Sequence, residues 1–158
     1  MRTSRAIWLD AGGSAAAAIG LHEVIEVVTE SDMESVPLAP AYCRELLQWR
    51  NQWVPVFDLA AWRGLQSSPD RPFLVIVGYA GKVGGGFQYG CLRVSNFPKI
   101  VELSDEHACG LPAGAKWDCI AHSCFRGGGR EVPILSLYKV FQQHEAGTGH
   151  AVGVASSG

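Results

Sequence analysis

Short apolar runs, broken by glycine, proline and asparagine, dominate the chain and predict strands rather than long helices. Ile7–Asp10 and Ala15–Leu21 read as a first hairpin around the turn cluster Ala11-Gly-Gly-Ser14, and the β-branched run Val24–Thr29 continues the sheet. Pro37-Leu-Ala-Pro40 is expected to be extended, because each proline fixes φ and restricts the residue before it. Leu46–Arg50 and Trp53–Phe57 predict a hairpin turning at Asn51-Gln52, since asparagine tolerates the left-handed conformation. Asp58 is placed to cap a short helix over Leu59–Arg63 that stops at Gly64.

The second half repeats the style. Phe73–Tyr79 is a dense apolar strand; Lys82–Tyr89 and Gly90–Val94 follow, with a bend or bulge at Gly84-Gly-Gly86, and Ile100–Leu103 is brief. Cys119–Arg126 and Glu131–Leu135 predict a last hairpin around Gly127-Gly-Gly129, and Ser136 a cap for a helix over Leu137–His144. Val54-Pro-Val-Phe-Asp-Leu59 recurs as Val132-Pro-Ile-Leu-Ser-Leu137, each copy following a turn and leading through a capping side chain into a helix. The repeat points to two related half-domains, each a small barrel whose last strand feeds a helix. In Trp53–Phe57, Trp53, Pro55 and Phe57 share one face and Val54 and Val56 the other. Both faces are apolar, so the strand should be covered on both sides, chiefly by the second barrel; Trp49, Trp53, Phe57 and Trp62 are the aromatic anchors to watch.

Composition narrows the function. The 158 residues are 47% apolar, ample for a core without staples or metals, and 13 basic against 15 acidic side chains leave a charge of −2. No Lys/Arg stripe marks a phosphate track, so no nucleic-acid partner is expected. The longest apolar runs, Ala15–Leu21 and Phe73–Ala80, are too short to span a bilayer, so no direct membrane insertion is expected. Asp10 interrupts any apolar region of a secretory signal, and five cysteines without a C-x-x-C pair suit a reducing compartment; a cytoplasmic location follows as the expectation.

Candidate chemistry is sparse. His107, Cys109, Cys119, His122 and Cys124 include enough ligand types for zinc, but on a strand Cys119 points away from His122 and Cys124. Neither triple glycine leads into Gly-Lys-Ser/Thr or directly into a helix, so both read as turns rather than phosphate cradles. Glu23 and Glu26 read as a solvated strand edge, and no nucleophile elbow is visible. No catalytic residue, cofactor or metal is therefore assigned. The alternatives to a binding protein are a small-molecule- or metal-binding barrel sensor built on the Cys/His cluster, and an enzyme using one thiol.

One set of blocks goes further. Glu26-Val27, Val36-Pro-Leu-Ala-Pro-Ala-Tyr42, Leu46-x-x-Trp-Arg50 and Val54-Pro-Val-Phe-Asp-Leu59 together resemble the CheW-like family of coupling proteins from bacterial chemosensory arrays. The similarity is gapless over Val24–Leu59, looser at Gly90–Val94 and Ile100–Leu103, and good again over Val132–Phe141. It implies a mainly β domain over residues 6–145, made of two five-stranded SH3-like barrels packed side by side with short helices, and a disordered tail over 146–158. It also implies a non-catalytic adaptor bridging the regulatory domain of a CheA-type histidine kinase to the cytoplasmic tip of a chemoreceptor. By position, Glu26, Val27 and Arg50 match the family's receptor-contact and structural motif, with Val24 on the same strand. Arg50 suits the role because its fork can hold a carboxylate. The family usually has glycine where Glu45 and Asn51 stand; Asn51 suits its turn, whereas Glu45 is expected to place a bulky charge near the docking groove. The pilus-motility versions of these arrays are one candidate setting.

Overall fold

The computed structural model describes residues 3–13, 15–29, 32–65, 73–81, 86–113 and 116–142. The Gly84–Gly85 part of the expected bend, the end of the last helix and the expected disordered tail lie outside the described residues. Eleven strands run in chain order: β1 Thr3–Asp10, β2 Ala16–Gly20, β3 Val24–Val28, β4 Met33–Ser35, β5 Glu45–Trp49, β6 Gln52–Asp58, β7 Phe73–Ala80, β8 Phe87–Val94, β9 Lys99–Ser104, β10 Ala121–Gly127 and β11 Arg130–Leu135. Helix α1 spans Leu59–Trp62, and residues 137–142 form a second helix, α2.

The strands make two sheets, one of five strands in the order β10-β11-β2-β1-β9 and one of six in the order β3-β7-β8-β6-β5-β4. The fold is thus mainly β with a few short helical turns, as expected, but the second sheet has one strand more than the expected five. The extra strand is β4, a short piece opposite Leu47, Leu46 and Glu45 that carries only one apolar side chain and so no periodic signal.

Alternation along the strands sends side chains into separate cores. In β7, Val75, Val77 and Tyr79 enter a central cluster between the sheets, while Leu74 and Ile76 enter a second cluster with Leu47, Trp49, Val54, Val56 and Cys91. In β1 and β2, Ile7, Leu9, Ala17 and Ile19 face the central cluster, while Ala6, Ala16 and Ala18 face a third with Phe125 and Val132. Each sheet therefore carries its own outer core and shares an inner one. The double-faced strand β6 follows this rule: Phe57 is in the central cluster and Val54 and Val56 in the outer one. Trp53, at the strand's open end, stays 47% exposed.

The repeated sequence has repeated geometry. β6 pairs antiparallel with β5 and parallel with β8, and β11 pairs antiparallel with β10 and parallel with β2. Equivalent residues take equivalent places: Val54 and Val132 in the outer cores, Phe57 and Leu135, then Leu59 and Leu137, in the central one. Both caps form, with Asp58 Oδ1 accepting from the Ala61 N–H at 3.1 Å and Ser136 Oγ accepting from the Lys139 N–H at 3.4 Å.

Three local expectations need correction. Residues 37–38 turn rather than extend: Leu38 has φ 65 and the Ala39 N–H donates to the Val36 carbonyl at 3.4 Å. Proline at the first central position of a turn is followed readily by a positive φ, and Leu38 does not precede a proline, so the restriction on pre-proline residues does not reach it. The β5–β6 hairpin turns one residue early. Trp49 pairs with Gln52, leaving Arg50 (φ 47) and Asn51 (φ 62) as a two-residue loop with both residues left-handed. Cys119, expected in a strand, lies instead in the tight turn Trp117–Cys119 before β10.

Candidate docking surface

The hairpin geometry decides what Arg50 does. As a loop residue it projects beyond the end of the six-stranded sheet, and its guanidinium lies 4.6 Å from the centroid of the Trp49 ring. On β3, a bulge between Val24 and Glu26 shifts the register, so that Glu26 stands opposite Ile76 on the side of the outer core. Glu26 Oε1 accepts a hydrogen bond from Trp49 Nε1 at 2.9 Å and pairs with Arg50 Nη2 at 3.5 Å. The indole is buried, while the Arg50 and Glu26 side chains are 66% and 39% exposed. A solvated pair of this kind adds little to stability. What the arrangement supplies is a fixed orientation: Trp49 holds the carboxylate through its indole N–H and the guanidinium over its ring face.

Aromatic side chains extend this end of the sheet. The Trp49 and Tyr89 rings lie 5.2 Å apart, and those of Tyr89 and Phe87 meet edge-on at 5.3 Å. Phe87 is 59% exposed and Ile25 37%. Gly78 lies beneath both: a Cβ there would come within 2.5 Å of the Phe87 ring and 3.3 Å of Ile25. A buried indole and a half-buried tyrosine beside a fixed ion pair and exposed apolar side chains match the composition of protein-binding surfaces.

The structure thus brings Glu26 and Arg50 together and leaves the other three sequence candidates apart from them. Val24 and Val27 stand opposite Val77 and Val75 and pack, half-buried, against the central core. Glu45 begins β5 and Trp49 ends it, so Glu45 lies at the far end of that strand, where its Oε1 accepts from Arg93 Nη1 at 2.7 Å. This pair borders a groove of ≈ 400 Å³ whose lining also includes Arg44, Asp58 and Leu65. The expected obstacle is thus a carboxylate already neutralised by an arginine. Arg93 is not legible in the sequence because its partner is 48 residues away; Trp49 reads there as an aromatic anchor and as part of the Leu46-x-x-Trp-Arg50 block, while its bond to Glu26 crosses 23 residues.

Of the remaining aromatic candidates, Phe57 and Trp62 belong to the central core or its border. The Cys/His set does not gather as one cluster: His107 Nδ1 meets Ser104 Oγ at 3.1 Å, His122 Nδ1 meets Ser123 Oγ at 3.0 Å, and Cys109 and Cys124 come together. Among the described residues no group of three or more His, Cys, Asp or Glu gathers as a metal site would require. Burial raises the Cys43 thiol to about 11, and Cys91 is raised further for the same reason, so both behave as core residues. No helix among the described residues is long and apolar enough to cross a membrane.

Comparison with known proteins gives the same family as the motif blocks. No curated protein matches the chain significantly. The scaffolding protein TtCheW from Thermoanaerobacter tengcongensis has a similar fold, with a TM-score of 0.71 at 14% identity, covering 89% of this chain and 94% of that one. The profile of the CheW-like domain matches residues 6–145, and the chain accordingly belongs to the CheW-like domain family.

Proposed function

We propose that this protein is a non-catalytic adaptor that couples the regulatory domain of a CheA-type histidine kinase to the cytoplasmic tip of a chemoreceptor, in the cytoplasm, within an array serving flagellar or pilus-based motility. The observation that carries this reading is the exposed Glu26–Arg50 pair held by the buried Trp49 and flanked by Phe87 and Ile25. A surface of charge fixed by aromatics is suited to orienting a partner. Val24 and Val27 back the β3 strand from the core side and set where Glu26 emerges. The separate outer core of each sheet supports taking the two halves as SH3-like barrels, one presenting Glu26 and Arg50 and the other free for a second partner.

Gel filtration of the chain mixed with the purified regulatory domain of a CheA-type kinase tests the reading. A common, earlier-eluting peak is expected; two peaks at the positions of the free proteins, at concentrations well above those of a working array, would contradict it.

A further inference from the structure

The five-stranded sheet contains a feature that adaptor function does not use. After β9, the chain passes through the tight turn Asp105–His107 and reaches back to β10, the opposite outer strand of the same sheet, through a single antiparallel bridge between Ala108 and Phe125. One step along that register Cys109 stands opposite Cys124. The Cys109 N–H donates to the Cys124 carbonyl at 3.0 Å, and the two sulfurs are 3.3 Å apart. With the sulfurs already in contact, closing a disulfide requires only a short approach of the two side chains. The two thiols also differ in environment: Cys109 is partly exposed and Cys124 is buried.

We infer that Cys109 and Cys124 form a peroxide-oxidisable dithiol, a modification site at which a disulfide fastens the segment after β9 to the outer strand β10. The inference is independent of any partner. In the first step the Cys109 thiolate attacks one oxygen of hydrogen peroxide. The O–O bond breaks, the departing hydroxide takes a proton to become water, and Cys109 is left as a sulfenic acid. In the second step the Cys124 sulfur attacks the Cys109 sulfur. The S–S bond forms as the S–O bond breaks, and the oxygen leaves with the Cys124 proton as a second water. Two thiols are oxidised by two electrons and one peroxide is reduced to two waters.

The assignment of roles follows from access. Cys109 can meet peroxide, whereas Cys124 is buried away from it, and burial, followed by the neighbouring Cys109, pushes its thiol up to about 12, so Cys109 reacts first. The other thiols are less well placed. Cys43 and Cys91 are buried in the six-stranded half, and Cys119 is in a different turn. The bond would staple a join that rests on one isolated bridge, where β1–β2, β1–β9 and β10–β11 have continuous ladders.

The test treats the full chain with a small excess of hydrogen peroxide, alkylates it under denaturing conditions and digests it without reduction. The expected result is a linked peptide pair containing Cys109 and Cys124, a fall of two in the titratable thiols, a higher Tm and reversal of all three by dithiothreitol. C119S should keep the linked pair and C109S should abolish it. Over-oxidation of Cys109 to sulfinic acid with Cys124 still free, a disulfide between any other two cysteines, or a covalent dimer through Cys109 would each overturn the inference. Because the linked peptide is read directly on the unaltered chain, a variant that folds poorly does not remove the test.

Discussion

The two sheets share one module and use it differently. In each, a strand bearing a valine and a proline makes the parallel pairing, passes a capping side chain and enters a short helix that closes the central core. The outer cores differ. That of the six-stranded sheet is filled by Leu47, Trp49, Val54, Val56, Leu74 and Ile76, while that of the five-stranded sheet rests on Ala6, Ala16, Ala18, Phe125 and Val132. Burial stabilises roughly in proportion to the apolar area removed from water, so the six-stranded half is the firmer one. It is also the half that carries the fixed ion pair. The surface proposed for docking sits on the better-packed core, and the join proposed to be oxidisable sits on the lighter one.

Truncation in the two outer cores is the strongest way to break this comparison. Ile76→Ala should cost about 2–5 kcal/mol, as large-to-small changes in a close-packed core do. Val132→Ala removes fewer methyl groups from a core already lined by alanine, and should cost less. Urea denaturation of both variants gives the two values; equal losses would show that the outer cores contribute alike.

A smaller effect is expected at the far end of β5. Glu45→Ala leaves Arg93 without its 2.7 Å partner, while the Arg93 Nε is already buried without a hydrogen bond. The loss should be about 1.5–3 kcal/mol, the range for hydrogen bonds to charged groups. A double-mutant cycle with Arg93→Met isolates the coupling between the two residues. A coupling near zero would mean that Glu45 is only a surface charge, free to act on a partner after all.

Much of this architecture was legible in the residues. Val54-Pro-Val-Phe-Asp-Leu59 and its second copy carried strand, cap and helix together because local forces decide all three: alternation, an acceptor for the first free N–H groups and a helix too short to need more. The same alternation showed that β6 must be covered on both faces. What could not be read was register. Whether Arg50 ends a strand or lies in the turn depends on Trp49 pairing with Gln52, a cross-strand choice that shifts by one residue without changing the hydrophobic pattern. Glu45 with Arg93 and Cys109 with Cys124 are contacts between elements distant in sequence, and only the folded sheets bring them together. The turn at Leu38 was hidden for another reason: flanking prolines suggest extension, yet they leave the residue after the first of them free.

The central claim is that Glu26 and Arg50 form a docking surface rather than a structural brace, and Arg50→Gly separates the two. Glycine removes the guanidinium while relaxing a left-handed backbone that costs an ordinary residue about 1–2 kcal/mol, which offsets the loss of a solvated ion pair worth up to about 1 kcal/mol. Isothermal titration of the wild-type and Arg50→Gly proteins with a chemoreceptor cytoplasmic tip, beside their Tm values, measures both sides at once. The expected result is a Tm within a few degrees of wild type and an affinity at least tenfold weaker. An unchanged affinity, or a binding loss that appears only together with unfolding, would contradict the claim.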